Sequence, residues 1–506
     1  MSDHDLTEDN APAKTLSRRG FLTATAGGGV AIAALMTGAA PQAQPVSGGS
    51  GGGSGTGSTS GVRVRRNIYA LSASEEGRKT IEAYKRGVAA MMTRPLSDVT
   101  SWRFQAAIHR RDSNFPDEFA ALPLELQGYL SPANMCQHSN PFFPAWHRVY
   151  LYYFERILRK ACGEATFNLP YWNYTDSTAE RALPEAFRTP DDEATNALYR
   201  RRRASSINAG SQLPEDAVST TAAFRETAAA SFYSSLELTP HGDVHVNVGG
   251  PGGLMSAFGT AALDPIFWLH HCNIDRLWSK WIREGHTDIT TTSFLDQRYL
   301  FWDEDKNLVG LTVREILNTA AQLDYRYDDA SGTEAGIVLA REAGSGVEGG
   351  QLPTELAATG SVVLGVEPVE VEAAPLVEAG GTQIFLTDPL SPTAKPVYLV
   401  LEGIRFEDSP GIAYRIFINH VKDQPYTVDS PSYATMFSPF APPEDPAGLT
   451  RRFDISGLLN RQIASGMYTG GPLSVEIIPI NAEDFDTGIE LGTLPTVTID
   501  RIKIER

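Results

Sequence analysis

Cysteine is scarce in this sequence. Its 506 residues contain only three cysteines, Cys136, Cys162 and Cys272. Three cysteines are too few for a scaffold held together by several disulfides, so that class of fold is excluded. One disulfide could still form, and the odd number leaves at least one thiol for other chemistry.

Positive charge is also in short supply. Lysine and arginine together number 43 against 61 aspartate and glutamate residues, which gives a formal net charge of -18. An acidic surface repels a phosphate backbone, so the composition excludes nucleic acid as a partner. Small neutral or weakly acidic molecules remain compatible with this charge.

The N-terminus lacks a long, strongly apolar run. Arg18 and Arg19 precede a Gly- and Ala-rich segment that is only mildly apolar and extends to Ala40. Paired arginines at this place resemble a twin-arginine export signal, and the weak segment argues against the alternative of a transmembrane anchor. We therefore predict a signal peptide at residues 1–43 and export by the twin-arginine route to the periplasm or cell exterior, with no stable membrane anchor.

The chain is too long for one small core, and its composition changes along its length. Residues 44–62 are mostly Gly and Ser and are predicted to form a linker. Residues 63–335 contain helical patterns, the tryptophans and most of the histidines. Residues 336–358 shift to Gly, Ala and Glu, which predicts a second linker before a domain at residues 359–506.

The second domain is predicted to be built from short strands. Its apolar runs are bounded by clusters of Pro, Gly and Asp, as are the strands of an antiparallel β-sandwich. The clearest runs are Ser361–Gly365, Pro396–Leu401, Ala413–Asn419 and Leu473–Ile480.

Two long helices are predicted in the first domain. In residues 144–161, apolar side chains recur at i, i+3 and i+4 spacing. A second helix begins where Asp264, a good N-cap residue, precedes Pro265, because Pro is favoured at the first helical position. It continues to the region of Gly285.

Seven of the ten histidines fall into three short clusters within the helical domain. Imidazole binds copper, zinc, iron and nickel, so the clustering predicts a metal site without selecting the metal. A single buried histidine is more often structural, but a structural role does not explain the whole set. The clustered residues are His109, His138, His147, His241, His245, His270 and His271.

The spacing of the later histidines limits how they can act. His241 and His245 are four residues apart, so on a helix both rings lie on one face and can hold one ion. A zinc protease has a Glu directly after the first histidine as general base, whereas this chain has Gly242. His270 and His271 are adjacent and point about 100° apart on a helix, so only one of them can join the pair.

The ligand chemistry favours copper. Two sites of three histidines each, without carboxylate or thiolate ligands, are unusual for zinc or iron. Neutral nitrogen ligands keep Cu(I) accessible, and an open position on each ion allows O₂ to bind between them. We therefore predict a coupled pair of copper ions.

Two longer motifs resemble those of the tyrosinase, catechol oxidase and hemocyanin superfamily. Residues 143–148 (FPAWHR) are similar to its first copper motif, and residues 264–276 (DPIFWLHHCNIDR) to its second. In that family the second histidine of the His-His pair is the ligand, which implies that His271 binds copper and His270 does not. The resemblance implies a mainly α dicopper domain built on a four-helix bundle, followed by an antiparallel β-sandwich. The implied copper ligands are His109, His138, His147, His241, His245 and His271.

The resemblance extends to the later domains of plant polyphenol oxidases. Residues 299–329 are similar to the segment after their copper domain, and Tyr325–Tyr327 (YRY) to the paired tyrosines that close it. The strand-rich tail resembles their C-terminal domain, so the match covers about residues 63–506. In the family this domain shields the copper site, which implies activation by cleavage near residues 336–358. The domain order is plant-type, and the export signal is bacterial in type.

Cys136 lies two residues before His138. In fungal members and molluscan hemocyanins, a cysteine at this spacing forms a thioether with the histidine ring. Plant enzymes use a cysteine four residues after the first ligand, where this chain has Ser113. The resemblance thus implies a Cys136–His138 thioether; the alternative is a free buried thiol. Cys162 and Cys272 are expected to be buried thiols.

The family also implies a gate and pocket above the copper pair. Phe258 lies thirteen residues before His271, where plant catechol oxidases have a Phe that limits substrate access. An ordinary core residue is the alternative, but the matching spacing favours the gate. Gly242 and Val246, each directly after a histidine, are expected to line the pocket.

Glu237 is expected to be catalytic. In the family a Glu at this position orients a water near the second copper, and monophenol-hydroxylating members often pair it with an Asn directly after the first histidine. This chain has Gly242 there, so the water lacks one partner and is a poorer base. The difference favours oxidation of diphenols over hydroxylation of monophenols.

Two charged residues are expected to support the ligands from behind. Asp275 lies one turn after His271, and Arg148 directly follows His147. Metal-binding histidines usually donate their second ring N–H to a carboxylate, a backbone carbonyl or water, which fixes the orientation of the ring.

The sequence therefore predicts a polyphenol oxidase with two copper ions, O₂ and small phenols as its reactants. The predicted reaction is oxidation of o-diphenols to o-quinones with reduction of O₂ to water. The alternatives are a tyrosinase that hydroxylates monophenols, an o-aminophenol oxidase, an oxygen carrier of the hemocyanin type and a zinc hydrolase.

Overall fold

The computed structural model describes residues 61–112, 116–330, 355–375, 396–443, 445–481 and 494–506. The predicted signal peptide at 1–43 lies outside these residues, as do nearly all of the first linker and residues 336–354 of the second. Within the described residues, no helix combines the length and apolar character needed to cross a membrane.

Helices dominate the first part of the chain. The longest of them, α2, α6 and α11, pack together and enclose the domain core. The α-helices are α1 (Ile68–Ser72), α2 (Glu75–Met92), α3 (Trp102–His109), α4 (Pro116–Ala120), α5 (Leu124–Tyr129), α6 (Phe143–Cys162), α7 (Ser205–Ala209), α8 (Thr221–Arg225), α9 (Ala229–Leu236), α10 (Asp243–Gly249), α11 (Pro265–Arg283), α12 (Thr292–Leu295), α13 (Thr319–Gln322) and α14 (Ser456–Ala464).

The two predicted long helices are confirmed, and local signals explain their ends. Helix α6 has Pro144 in its first turn and ends at Gly163, whose φ of 69° is left-handed and suits a residue without Cβ. Helix α11 is capped by Asp264, whose side chain accepts a hydrogen bond from the Ile266 N–H. Most residues of both helices are buried, because each helix lies in the centre of the domain.

Strands dominate the second part of the chain. All four predicted strand regions contain a strand. The strands are β1 (Arg63–Arg65), β2 (Arg298–Trp302), β3 (Leu308–Thr312), β4 (Tyr325–Tyr327), β5 (Glu355–Ala358), β6 (Val362–Leu364), β7 (Val369–Pro375), β8 (Tyr398–Ile404), β9 (Tyr414–Ile418), β10 (Tyr433–Phe437), β11 (Leu449–Asp454), β12 (Leu473–Pro479), β13 (Val497–Ile499) and β14 (Arg501–Glu505).

Eight of these strands form one sheet in the order β10-β9-β12-β7-β5-β14-β8-β11. Every pairing in it is antiparallel. Alternate residues of β12, namely Leu473, Val475 and Ile477, are buried in a second hydrophobic core, as the period of a strand requires. Strand β13 pairs with β6 in a separate antiparallel ribbon.

The second linker is shorter than predicted. Its last four residues, Glu355–Ala358, form β5 and pair with β7 and β14. Leu356 and Ala357 are buried there, which places them in the β-domain core. The composition of Glu355–Ala358 resembled that of a linker, because its small alanine side chains give no clear alternation of apolar and polar residues.

The two domains meet through apolar side chains. Ala413, Met436 and Phe440 belong to the β domain, yet they are buried in the same cluster as the core of the helical domain. This contact brings strands β9 and β10 next to the helices that carry the histidines.

Candidate metal centre

Three histidines from different elements form the first cluster. His109 is the last residue of α3, His138 lies in the loop before α6, and His147 is the fifth residue of α6. One ring nitrogen from each lies within 4.8 Å of the others, a separation suited to holding one metal ion. His109 and His147 are buried, and only 6% of the His138 side chain is exposed.

The second cluster contains four histidines. His241 lies in a kinked segment at Glu237–Gly242, in which Thr239 departs from helical φ and ψ, and His245 lies in the following helix α10. His270 and His271 both come from α11. Ring nitrogens of all four lie within 4.8 Å of one another. The angle between neighbouring helical residues therefore does not by itself exclude His270 or His271.

Contacts with the first cluster separate the two adjacent histidines. The Nδ1 atom of His270 is 2.8 Å from the Tyr174 hydroxyl, and its Nε2 is buried without a hydrogen-bond partner. His271 instead faces the other cluster, with its ring stacked on His147 at 4.5 Å and its Nε2 3.2 Å from Nε2 of His245. Two imidazole nitrogens approach in this way when a proton or metal lies nearby. This contact with the first cluster supports His271 as a ligand, and the choice of His271 over His270 stays a prediction.

The hydrogen bonds of the two ring nitrogens in each histidine show whether one nitrogen is left to bind a metal. Four rings are held through Nδ1. The partner of His138 is the Glu237 carboxylate at 3.0 Å, and that of His147 is the Phe143 carbonyl at 2.7 Å. The partner of His241 is the Glu237 carbonyl at 3.0 Å, and that of His245 is the Met255 carbonyl at 2.9 Å. A donor at Nδ1 leaves the lone pair on Nε2. The Nε2 atoms of His109, His138, His147 and His241 are buried without a hydrogen-bond partner.

These nitrogens would be costly to bury if nothing bound them. Burial also lowers the pKa of the rings well below 6.5, so they are neutral at neutral pH, as metal ligands must be. This holds for His109, His147, His241, His245 and His271. The donor set fits a pair of copper ions, because it offers imidazole nitrogens in two adjoining groups.

Glu237 contacts His138 of the first cluster directly. Its Oε1 accepts hydrogen bonds from His138 Nδ1 at 3.0 Å and from the Ser139 N–H at 2.7 Å. Ser139 has a φ of 56°, so the backbone turns sharply to bring both donors to one oxygen. The carboxylate therefore orients a ring of the first cluster, which the sequence-based role near the second copper did not include.

Phe258 lies against the first cluster. Its ring centroid is 4.8 Å from that of His138 and 5.3 Å from that of His109, in both cases edge to face. The guanidinium of Arg110 covers the Phe258 ring at 4.9 Å. This is the place that a gate would occupy, and the gating role itself stays a prediction.

The structure adds a residue that the motifs did not indicate. The ring of Phe440, from the β domain, stacks on His245 with centroids 4.0 Å apart and planes 13° apart. It also lies 5.5 Å from His241 and 5.5 Å from Phe258. We call Phe440 the plug, because its ring fills the space above the second cluster. Phe440 follows strand β10 in a segment that has no recognisable motif. The sequence predicted only that the second domain shields the site, and it did not indicate which residue does so.

Gly242 faces the plug. A Cβ atom at position 242 would lie 3.7 Å from the Phe440 Cβ and 3.9 Å from the Ser438 carbonyl oxygen. A cavity beside it is lined by His138, Glu237, His241, Phe440 and Arg451 among others. Val246 is completely buried in the helical-domain core and does not line this cavity.

Cys136 is buried close to the first cluster, and its N–H donates to the His109 carbonyl at 3.3 Å. The three cysteines all lie within the described residues and form no disulfide with one another. Cys272 is buried, as expected, while Cys162 is only partly buried. The thioether stays a prediction.

Asp275 and Arg148 act on the fold rather than on the histidines. Asp275 accepts from Arg148 Nε, the Tyr325 hydroxyl and the Tyr327 hydroxyl, each at 2.6 Å. Arg65 adds a longer contact at 3.5 Å. Burial raises the pKa of Asp275, but the two arginines outweigh it and hold the pKa below its ordinary value. Within the described residues neither side chain bonds a histidine ring, because this network already uses their polar atoms.

Family models match most of the helical domain. The common central domain of tyrosinase matches residues 99–212 and 184–284, and the polyphenol oxidase middle domain matches residues 288–333. The helical domain of this chain belongs to the tyrosinase and polyphenol oxidase family. These matches contain all six proposed ligands and the paired tyrosines that bind Asp275.

Relatives within the family include bacterial and plant proteins. A tyrosinase from Hahella sp. (strain CCB-MM4) is 32% identical over 307 residues, which cover 53% of this chain and 64% of the relative. A chloroplastic polyphenol oxidase from Malus domestica is 28% identical over 406 residues, covering 70% and 65%. The chain therefore spans just under two thirds of the length of these curated relatives.

Solved structures share the fold of the whole described chain. A latent aurone synthase (polyphenol oxidase) matches with 24% identity and a TM-score of 0.56, covering 88% of this chain and 89% of its own. A latent apple tyrosinase matches with 24% identity and a TM-score of 0.54, covering 88% and 98%. The order of a helical core followed by a C-terminal β domain is thus a fold that these structures share.

Proposed function

We propose that this protein is a copper-dependent phenol oxidase that converts o-diphenols into o-quinones while O₂ is reduced to water. One observation carries the proposal. Two groups of buried histidines adjoin, and the Nε2 atoms of His109, His138, His147 and His241 have no hydrogen-bond partner. His109, His138 and His147 would hold one copper ion, and His241, His245 and His271 the other. When bound, the copper pair supplies the redox chemistry that passes electrons from a phenol to O₂.

The protein side chains bind and orient the substrate. The plug stacks on His245 as an aromatic substrate ring would, so its position supports a binding place between His245 and Phe258. Phe258 closes the opposite edge and helps to exclude water. Glu237 keeps the His138 ring in place through Nδ1.

The contacts of Glu237 and Gly242 support a preference for diphenols. The Glu237 oxygen already accepts two hydrogen bonds, and Gly242 offers no side chain to hold a water beside it. A monophenol must lose its proton before hydroxylation, and this site offers few groups to assist that step. Hydroxylation of monophenols and oxidation of o-aminophenols remain the outcomes to be tested against it.

The β domain is proposed to shield the site until it is displaced. The plug is only 3% exposed, and its ring occupies the space where a substrate ring would stack. A phenol therefore cannot reach His245 while Phe440 is seated. Cleavage within residues 336–354, which lie outside the described residues, would separate the two domains.

Finer features of the chain belong to the same proposal. Contacts of α6 with α2 and α11 support a helical bundle around the histidines, and the antiparallel pairings support a β-sandwich. The Cys136–His138 thioether and export by the twin-arginine route are proposed from the sequence motifs.

The proposal is tested by loading the protein with copper and comparing 4-methylcatechol with tyramine and tyrosine as substrates. Each assay is run with the intact chain and after limited proteolysis. We expect catechol oxidation that increases after cleavage, with slow or absent turnover of the monophenols. Rapid monophenol turnover without a lag would contradict the diphenol preference. Zinc rather than copper in the protein, with hydrolytic activity, would contradict the whole proposal.

A further inference from the structure

The segment that carries the plug is tied to the helical domain. Strand β10 ends at Phe437, and Ser438 and Pro439 then lead directly to Phe440. Any contact that fixes the start of β10 therefore also limits how far the plug can move. The structure provides such a contact at Tyr433, the first residue of this strand.

One carboxylate of the helical domain binds both β9 and β10. Asp216 accepts hydrogen bonds from Arg415 Nε at 2.8 Å and Arg415 Nη2 at 3.1 Å. It also accepts from the Tyr433 hydroxyl at 3.0 Å. Arg415 lies in β9 and Tyr433 in the neighbouring strand β10. We call this set of three residues the latch.

The latch acts on the elements that hold copper ligands. Asp216 begins a 3₁₀ helix, Asp216–Val218, which packs against both the Glu237–Gly242 segment and helix α10. These two elements carry His241 and His245. The latch therefore joins the elements that carry His241 and His245 to strand β10, which leads to the plug.

The geometry makes the latch stronger than a surface ion pair. The guanidinium fork meets both carboxylate oxygens, an arrangement that strengthens and orients the bond. The side chains are only 19% exposed for Arg415 and 8% for Asp216, so water screens them weakly. Between residues 61–330 and the described residues of 355–506, it is the only ion pair.

We propose that Asp216 is the residue that keeps the plug seated, and that loss of the latch opens the copper site without cleavage of the chain. The proposal rests on the proposed function and deepens it, because it assigns control of access to one interdomain contact. Phe440 blocks the site, and the latch stabilises the conformation in which Phe440 is seated. An intact chain with a broken latch should therefore admit substrate.

The test uses the full chain loaded with copper and breaks the latch from either side. Asp216→Asn removes the charge from the helical domain, and Arg415→Met removes the guanidinium from the β domain. The matched control is Asp500→Asn, which breaks the bidentate pair of Arg405 with Asp500 inside the β domain. Phe440→Ala reports on the shield itself, because it removes the plug and leaves the latch intact.

Two readouts are measured, and only one of them depends on activity. Hydrogen exchange of the backbone amides in residues 433–440 reports how often the segment leaves its site. Loss of a charged, partly buried hydrogen-bonded pair should raise this exchange and the uncleaved catechol turnover by about tenfold to a hundredfold. The Asp500→Asn control should change neither, and agreement between the two latch variants guards against a folding defect in one of them.

The outcomes separate the latch from the proposed function. If Phe440→Ala oxidises catechol while both latch variants match the parent chain in turnover and exchange, the latch is wrong and the shield stands. If Phe440→Ala does not oxidise catechol even after proteolysis, the proposed function is wrong. The exchange of residues 433–440 still decides the latch in that case, because it requires no catalysis.

Discussion

At the scale of single residues, the site depends on how each imidazole is held. Four of the six proposed ligands are fixed through Nδ1, three of them by backbone carbonyls. His138 is the exception, since its acceptor is the Glu237 side chain. It is thus the ligand whose orientation a single side-chain substitution can disturb.

We expect Glu237→Ala to weaken copper binding at the first cluster by about 10- to 100-fold, the usual effect of losing a partner that orients a ligand. Glu237→Gln keeps an acceptor for the His138 N–H and should lose less affinity. Competition with a chelator of known affinity measures the effect, and the exposed Glu284→Ala serves as the control. Equal affinity in Glu237→Ala and the parent chain would mean that His138 is held by other contacts.

Gly242 gives a second prediction at this scale. Its Cβ position lies at ordinary contact distance from the plug, so Gly242→Ala should be tolerated without change in shielding. Gly242→Asn adds atoms directed at Phe440 and should displace the plug, which would raise catechol turnover by the uncleaved chain. Turnover of both variants before and after proteolysis tests this. An Asn variant as latent as the Ala variant would contradict the placement of the plug against position 242.

At the scale of elements, the histidine-bearing helices could be predicted because their signals are local. The Asp264 cap, the adjacent Pro265 and the apolar spacing of α6 depend on a few neighbouring residues. The assignment of Asp275 to the histidines was wrong, since its partners come from β4 and α6, distant in sequence. Strand β5 was missed for a related reason: its pairing with β7 and β14 decides its structure.

The Asp275 network joins α6, α11, β1 and β4, so its loss should affect the whole domain. We expect Asp275→Asn to lower the free energy of unfolding by about 3–5 kcal/mol, because it leaves buried Arg148 without its carboxylate. Arg65 keeps its buried pair with Glu155 at 2.9 Å. Chemical denaturation measures the change. Asp324→Asn, which breaks an exposed pair with Arg63, should cost less than about 1 kcal/mol. Similar small losses in both variants would show that the buried arginines find other partners.

At the scale of the whole molecule, the β domain changes what the helical domain can do. A separate β domain was predictable from the strand-like runs, whereas the plug and the latch were not. Asp216 lies far in sequence from Arg415 and Phe440, and none of the three carries a periodic signal. Their roles arise from packing between the domains, which local sequence patterns do not encode.

The central claim is that the six histidines hold a copper pair that oxidises diphenols. Its most direct test is the O₂ consumed by the copper-loaded Phe440→Ala chain supplied with 4-methylcatechol. O₂ accepts four electrons on reduction to water and each catechol gives two, so we predict one O₂ for every two catechols, with no uptake in the copper-free chain. Absent O₂ uptake despite bound copper, or reversible uptake without quinone formation, would contradict the account.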